Sequence, residues 1–446
     1  LGTNLSINPI QSIPQSKEEQ VTRLFSHLEF DGKQLSHQPG SILGSTALIA
    51  GTTVGAGILA LPAVTISSGV VPSTVLMIGA WVYALVAGLL IAEATVNTMR
   101  LVGRPNVNML AMVENTLGCF GARMAGGAYL FLHYALLIAY IAEGGDILGS
   151  AIAKVFGVQQ VLPGWVGAMT FTLLFGGLMY LGRERLVEKL NSAFVAIVLV
   201  SFLGLLLLAG GQVKSTQFLF QNWSALGSAV SVMFVALFYH NVVPMVVNQL
   251  EGDRQKIRQS IVIGSVIPLI MFLAWNAVIL GSASPEMIQK AFDSKTIFDP
   301  LQILRAGGAG EWLGLLVSVF SEFAIVTSFI GFMYGLLDFF RDVSLVTQSK
   351  SSHRLPLYSI ILLPSMSFGV LNPGIFFTAL DYAGTFSVSV LGGIIPALMT
   401  WKHREQQQLS YPINQPFVPG GKVTLMVMIA IALVMIVRQI LSMCGL

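Results

Sequence analysis

Long apolar runs separated by short polar loops dominate this chain. A helix needs ~20 apolar residues to cross the hydrocarbon core of a bilayer. Eleven runs approach or exceed that length: 41–66, 70–98, 119–153, 164–181, 189–210, 224–248, 256–280, 311–338, 356–372, 375–399 and 423–442. Apolar residues in them are continuous rather than alternating, which predicts helices and not barrel strands. The pattern therefore predicts an all-α membrane protein with eleven transmembrane helices. Residues 1–38 are polar and contain no apolar run, and are expected to form a disordered tail. Residues 401–446 are expected to form a loop and the eleventh helix. Two loops carry amphipathic stretches: VNMLAMVENTLG within 101–118, expected as an interfacial helix, and SPEMIQKAFD with PLQILRAGG within 281–310, expected as short helices over an outer vestibule.

Charge orients these spans. With the N-terminal tail inside, the tail and every second loop hold eighteen Lys and Arg residues and the opposite side holds six. Short cytoplasmic loops carry such an excess. The strict alternation supports the span count, because a missed helix would scramble it. The C-terminus then lies on the far side.

Two spans are interrupted. The first, SILGSTALIAGTTVGAGILALPAV, carries Gly51, Gly55 and Gly57 mid-way and is expected to close at Pro62. The sixth, GSAVSVMFVALFYHNVVPMVV, has Tyr239, His240 and Asn241 at its centre, followed by Pro244. Glycine lowers helix propensity and lets a ligand approach the backbone. Proline removes a donor and clashes with a carbonyl one turn back. Unwound backbone at membrane depth survives only where its polar groups find partners. Interrupted spans at matching places in two halves point to a secondary transporter's binding site. Five spans per half, an odd number, means that the second half enters the membrane from the opposite side. The expectation is an inverted-repeat core over 39–400, with halves at 41–210 and 224–399 and the eleventh span outside the repeat.

Freed N–H groups from Thr53 through Gly55 and Ala56 to Gly57 suit a carboxylate, helped by the positive end of the following half-helix. Freed carbonyls around Ala50 to Thr52 and Ala236 to Phe238 suit an ammonium. One site would then clasp a zwitterion end to end. Close packing of one helix on another would use the same glycines.

GTTVGAGILALP in the first span and FYHNVVP in the sixth resemble the aromatic and hydroxy amino acid permeases, the group that contains bacterial tyrosine- and tryptophan-specific transporters. The resemblance extends from about Ser41 to the C-terminus. It implies a five-plus-five inverted-repeat core of the amino acid–polyamine–organocation type, discontinuous first and sixth helices, proton-coupled uptake and a central amino acid site lined by the first, third, sixth and eighth spans. Related plant proteins are placed in the plastid inner envelope. The start at Leu1 and the polar tail are compatible with a removed transit peptide; a plasma membrane or bacterial inner membrane is the alternative host.

Ionisable groups inside the apolar runs are candidates for chemistry. Glu322 lies about eleven residues into the eighth span, near the bilayer centre. An ionised carboxylate there costs ~2.5–3.5 kcal/mol or more, so it is paired, wet or protonated. It is the leading proton carrier, with a buried structural acceptor as the other reading. His240, with an ordinary pKa near 6.5, is the second proton candidate or a neutral donor bracing the break. Asn241 braces the break or faces substrate. Glu93, Glu143 and Asp381 lie toward span ends and are gate candidates, with Glu93 expected to pair with a loop arginine. Asp146 shares a helix face with Glu143. Tyr134 and Tyr140, with His133 beside Tyr134, and Phe238, Tyr239, Thr327 and Ser328 suit a cavity for an aromatic side chain with a polar tip.

Other classes fit less well. No GxxxxGK[ST] motif and no nucleotide domain occur, so ATP is not expected to drive the protein. No metal-ligand spacing, cofactor motif or nucleic-acid signature is present. The chain is 54% hydrophobic and 10% charged, so its main partner is lipid. Cys119 and Cys444, its two cysteines, predict no disulfide framework and are expected as thiols in apolar surroundings. An enzyme is not expected. The function read here is proton-coupled symport of an aromatic amino acid by alternating access, with the amino acid as partner and the oligomeric state left open. Sodium-coupled transport of a neutral amino acid is the alternative, since hydroxyls at Thr52, Thr53, Thr327 and Ser328 resemble a sodium site. A channel or a non-transporting amino acid sensor is the further alternative.

Overall fold

A computed structural model describes residues 23–26, 28–30, 35–37, 40–55, 57–102, 109–156, 163–211, 213–283, 311–346, 354–372, 374–410 and 416–445. Among them, ten helices are long and apolar enough to span a bilayer, and a bent pair makes an eleventh. The chain is an integral membrane protein of the expected helical class. The first span is the bent pair, Ile42–Thr53 and Gly57–Thr65, with 51° between its halves. The second to fifth are Val70–Val102, Met109–Val155, Gly164–Leu181 and Glu184–Gly210. The sixth comprises Val230–Ala236 and Val243–Gln249. The seventh to ninth are Arg254–Ser282, Glu311–Val346 and Arg354–Leu371. The tenth runs over Ile375–Gln406 and the eleventh over Gly421–Met443.

Local chemistry sets several of these boundaries. Ser41 caps the first half-helix by accepting from the Gly44 amide at 2.9 Å. Asp253 caps the seventh span by accepting from the amides of Gln255 and Lys256. Pro244 sits in the first turn of the second half of the sixth span, where its missing donor costs nothing. Pro62 does not close the first span as expected: helix continues through it to Thr65, and the interruption lies upstream. The stretch expected at the membrane interface is helical from Met109 and joins the third span through a kink at Gly118, whose φ of 76° suits glycine.

Two other expectations change. Within the tail expected to be disordered, Leu28–Phe30 pairs antiparallel with Leu35–His37. The tail is also held to the inner end of the sixth span, where the Leu24 amide donates to the Glu251 carbonyl and the Gly40 amide to the Gln249 carbonyl. Main-chain groups there find partners that composition does not reveal. Cys119 and Cys444 are free and exposed instead of enclosed. The short helices expected within 284–310 lie outside the described residues.

The core is continuous from the first span to the eleventh. Its largest fully buried side chains include Trp275, Tyr239, Phe171, Phe272, Phe320 and Phe329. Glu93 anchors the inner end of the second span. Its carboxylate takes a two-pronged bond from Arg404 of the tenth span, at 2.7 and 2.9 Å, and a third from the Phe417 amide at 2.9 Å. The expected arginine partner is therefore present, at the inner end of a span. Removing one partner of a buried pair strands the other charge. Glu93→Ala should lower stability by ~3–5 kcal/mol. An unchanged thermal unfolding midpoint in detergent would rule this out.

Candidate functional site

The two interruptions meet. Helical bonding in the first span last holds at Val54 N–H to the Ala50 carbonyl and resumes at Ile58 N–H to Gly55. In the sixth it ends at Leu237 to Met233, tightens at Phe238 to Val235, and restarts through a short 3₁₀ turn, His240–Val242. A Cβ on Gly57 would stand 2.8 Å from Cα and Cβ of Ala236, so the restart of one helix is pressed against the end of the other. Gly55 lies as closely against the Ser328 hydroxyl of the eighth span. Tyr140 of the third span is buried. Phe332, one helical turn along from Ser328, lies 5.9 Å from the Tyr140 ring. The first, third, sixth and eighth spans thus converge at the breaks.

The hydroxyls in this region point back into their own helices. Thr52 donates to Leu48, Thr53 to Ile49, and both Thr327 and Ser328 to Ala324, at 2.8 to 3.0 Å. A hydroxyl used this way keeps its lone pairs for an outside donor or cation. Ala56 lies outside the described residues.

The sixth-span break is braced from the second span. Tyr239 O–H and His240 Nε2 both lie 3.2 Å from the Ala84 carbonyl. A carbonyl only accepts, so Nε2 carries the hydrogen and Nδ1 presents a lone pair. That Nδ1 is buried and has no hydrogen-bond partner. The Tyr239 ring fills the space that a side chain on Gly88 would need, 2.7 Å from its hydroxyl. Tyr239 is thus held against the second span. Ser265 of the seventh span accepts from Trp81 Nε1 at 3.2 Å and ties that span to the second. Phe238 is buried, 5.0 Å from the His240 ring. Asn241 Oδ1 is buried without a partner.

The model of the tryptophan/tyrosine permease family matches residues 38–439. The chain belongs to that family. It is 27% identical over 398 residues to "Tyrosine-specific transport system 1" of Haemophilus influenzae, covering 87% of this chain and 94% of that protein. It is 26% identical over 423 residues to the same organism's "Tryptophan-specific transport protein", covering 90% and 96%. "Glutamine transporter 2" of Aliivibrio fischeri is 26% identical over 406 residues, covering 90% and 99%. The family and these relatives are transport proteins, not enzymes.

Other candidate residues of this permease-family chain lie away from the meeting point. Tyr134 donates to the Ile360 carbonyl at 2.8 Å and so faces the ninth span. His133 is buried and holds the Tyr129 carbonyl at 2.8 Å. Asp381 accepts from Gln439 of the eleventh span at 2.8 Å. Glu143 is half-buried and engaged, while Asp146 is exposed. Glu322 has both carboxylate oxygens buried without a hydrogen-bond partner. It stands ~120° around its helix from Ser328. Ile325 and Phe329 share its side and pack on Gly144 and Phe171, which puts Glu322 toward the third and fourth spans. The two proton candidates thus belong to separate environments.

Residues that sequence reasoning missed are the supports: Trp81, Ala84, Gly88 and Ser265. Each reads as ordinary helix packing, and the one available signal is the small-residue spacing of Ala84 and Gly88 on one face. Close contact also separates the first-span glycines. Gly57→Ala should cost ~1–3 kcal/mol through overpacking on Ala236. A Cβ on Gly51 would meet no atom within 4 Å, so Gly51→Ala should be neutral or stabilise by up to ~1 kcal/mol. Equal thermal midpoints for the two variants would contradict the meeting of the breaks.

Proposed function

We propose that this protein carries an amino acid, most readily an aromatic one, across its membrane by alternating access coupled to protons. The contact of Gly57 with Ala236 carries the reading, because it joins two interrupted helices at one place. Main-chain N–H groups at the first break suit a carboxylate, and carbonyls at both breaks suit an ammonium. Tyr140, Phe332 and Phe238 supply aromatic surface beside them. Relatives named for tyrosine and tryptophan favour an aromatic side chain, and the glutamine-named relative makes a neutral polar one the competitor.

An inverted repeat gives alternating access from one architecture. The neighbours of each span support it. First against seventh mirrors sixth against second, fifth against eighth mirrors tenth against third, and third against fourth mirrors eighth against ninth. Second with seventh, third with eighth and first with sixth are their own mirrors. A five-helix unit used twice, once upside down, generates these pairings.

Proton coupling rests on two groups, the unpartnered Glu322 carboxylate and the bare Nδ1 of His240. Sodium coupling is the second reading, favoured by the hydroxyl oxygens of Thr52, Thr53, Thr327 and Ser328 beside the breaks. A plastid envelope location rests on the family resemblance alone, and the relatives named above come from bacteria.

Uptake by proteoliposomes under imposed proton or sodium gradients separates the readings. Tyrosine, tryptophan, phenylalanine and glutamine should be compared. A proton gradient is expected to drive uphill uptake of an aromatic substrate, and Glu322→Gln to reduce that accumulation by at least about tenfold relative to counterflow exchange. Accumulation driven by sodium alone would replace the proton reading. Flux that never saturates and never runs uphill would replace the transporter by a channel, and binding without flux by a sensor.

A further inference from the structure

A second polar cluster lies between the tenth span and the sixth-span break. The tenth span is π-helical over Ala383–Val388 and again over Val390–Ile394. Such turns are rare and recur at functional positions. Contacts at both ends fix the face that this stretch turns to the break. Gly384 packs on the Ser231 carbonyl, and Thr385 Oγ1 donates to Ser231 Oγ at 2.8 Å. Further along, a Cβ on Gly392 would lie 3.5 Å from His240 Cε1, and Gly393 packs on the Tyr83 hydroxyl.

Ser389 falls between these contacts, four residues from Thr385 and four from Gly393, and so shares their face. It is fully buried and its hydroxyl has no hydrogen-bond partner. His240, which packs on Gly392 three residues along from Ser389, has Nε2–H committed to the Ala84 carbonyl and a buried, unpartnered Nδ1. Two unsatisfied polar atoms thus sit on elements in contact. One of them only accepts, and the other both donates and accepts. The titratable side chains packed nearby are the phenols of Tyr239, on the sixth span itself, and Tyr83, on the second. Among the described residues no ion pair involves His240.

We propose that Ser389 is the hydrogen-bond partner of His240 when the imidazole carries the coupled proton. The inference rests on the proton-coupled reading above and assigns a positioning residue to it. A proton adds to the Nδ1 lone pair, and the new N–H donates to Ser389 Oγ. No other bond forms or breaks. In the neutral state the two groups stand apart, and the π turns allow a local change of register without unwinding the helix. Proton arrival then draws the tenth span onto the sixth-span break.

The test uses the full chain in proteoliposomes, with tyrosine uptake followed against pH and the His240 ring nitrogens followed by NMR. Ser389→Ala removes the acceptor that favours the imidazolium. It should move the midpoints of both the uptake profile and the His240 signal by about one pH unit toward acid, about tenfold in proton affinity. Ser389→Thr keeps the hydroxyl and should restore both. If the alanine variant does not fold, Ser389→Cys, a weak acceptor of similar size, replaces it with the same expectation. Midpoints unchanged from wild type, or a threonine variant that behaves like alanine, overturn the proposal while leaving proton coupling intact. A wild-type chain that ignores a proton gradient overturns the coupling itself.

Discussion

Main-chain polar groups cannot be left open in a bilayer, and this fold is organised around two places where helices leave them open. Each break is tolerable because it borrows structure from elsewhere. Gly57 allows the first span to restart against the end of the first half of the sixth, at Ala236. The second span supplies the Ala84 carbonyl, which holds both Tyr239 and His240. The eighth supplies Ser328, set against Gly55.

A charged cluster ties several spans together at one level. Glu93 and Arg404 bond in two places, and the Phe417 amide completes the carboxylate's shell. Arg254, at the start of the seventh span, sits 4.5 Å over the Phe417 ring. Thr116 of the third-span helix meets His403 Nε2 at 3.3 Å. The second, third, seventh and tenth spans and the loop before the eleventh are therefore cross-linked at one level. The eleventh, mostly exposed along its length, joins the rest through specific bonds: Tyr83 O–H to the Met428 carbonyl and Gln439 to Asp381.

Much of this was legible in the apolar pattern. Among the described residues, the ten candidate spans and the bent pair lie where hydropathy predicts them, because the bilayer demands a fixed length of continuous apolar residues. Both breaks were visible from glycine and from the polar Tyr239–His240–Asn241 triplet. Their limits were not. Pro62 reads as the end of the first span, yet helix continues through it, since one missing donor is a local loss that the surrounding packing outweighs. The third and tenth spans run further than their apolar runs, into polar residues that tertiary contacts hold helical.

Residue order alone dictates membrane residence, the number of spans, the sidedness of charge and the existence of two weak points. Those follow from composition along one dimension, where solvent preference and backbone propensity act residue by residue. Which side chain serves each weak point was decided in three dimensions. Tyr134 and Tyr140 are interchangeable as letters, yet Tyr140 packs beside Phe332 of the eighth span while Tyr134 faces the ninth. Glu322 and His240 read alike as buried ionisable groups, yet they stand on different helices with different neighbours. Helical phase, close approach at glycine and hydrogen bonds between distant residues set these outcomes, and none of them is a property of a single position in the chain.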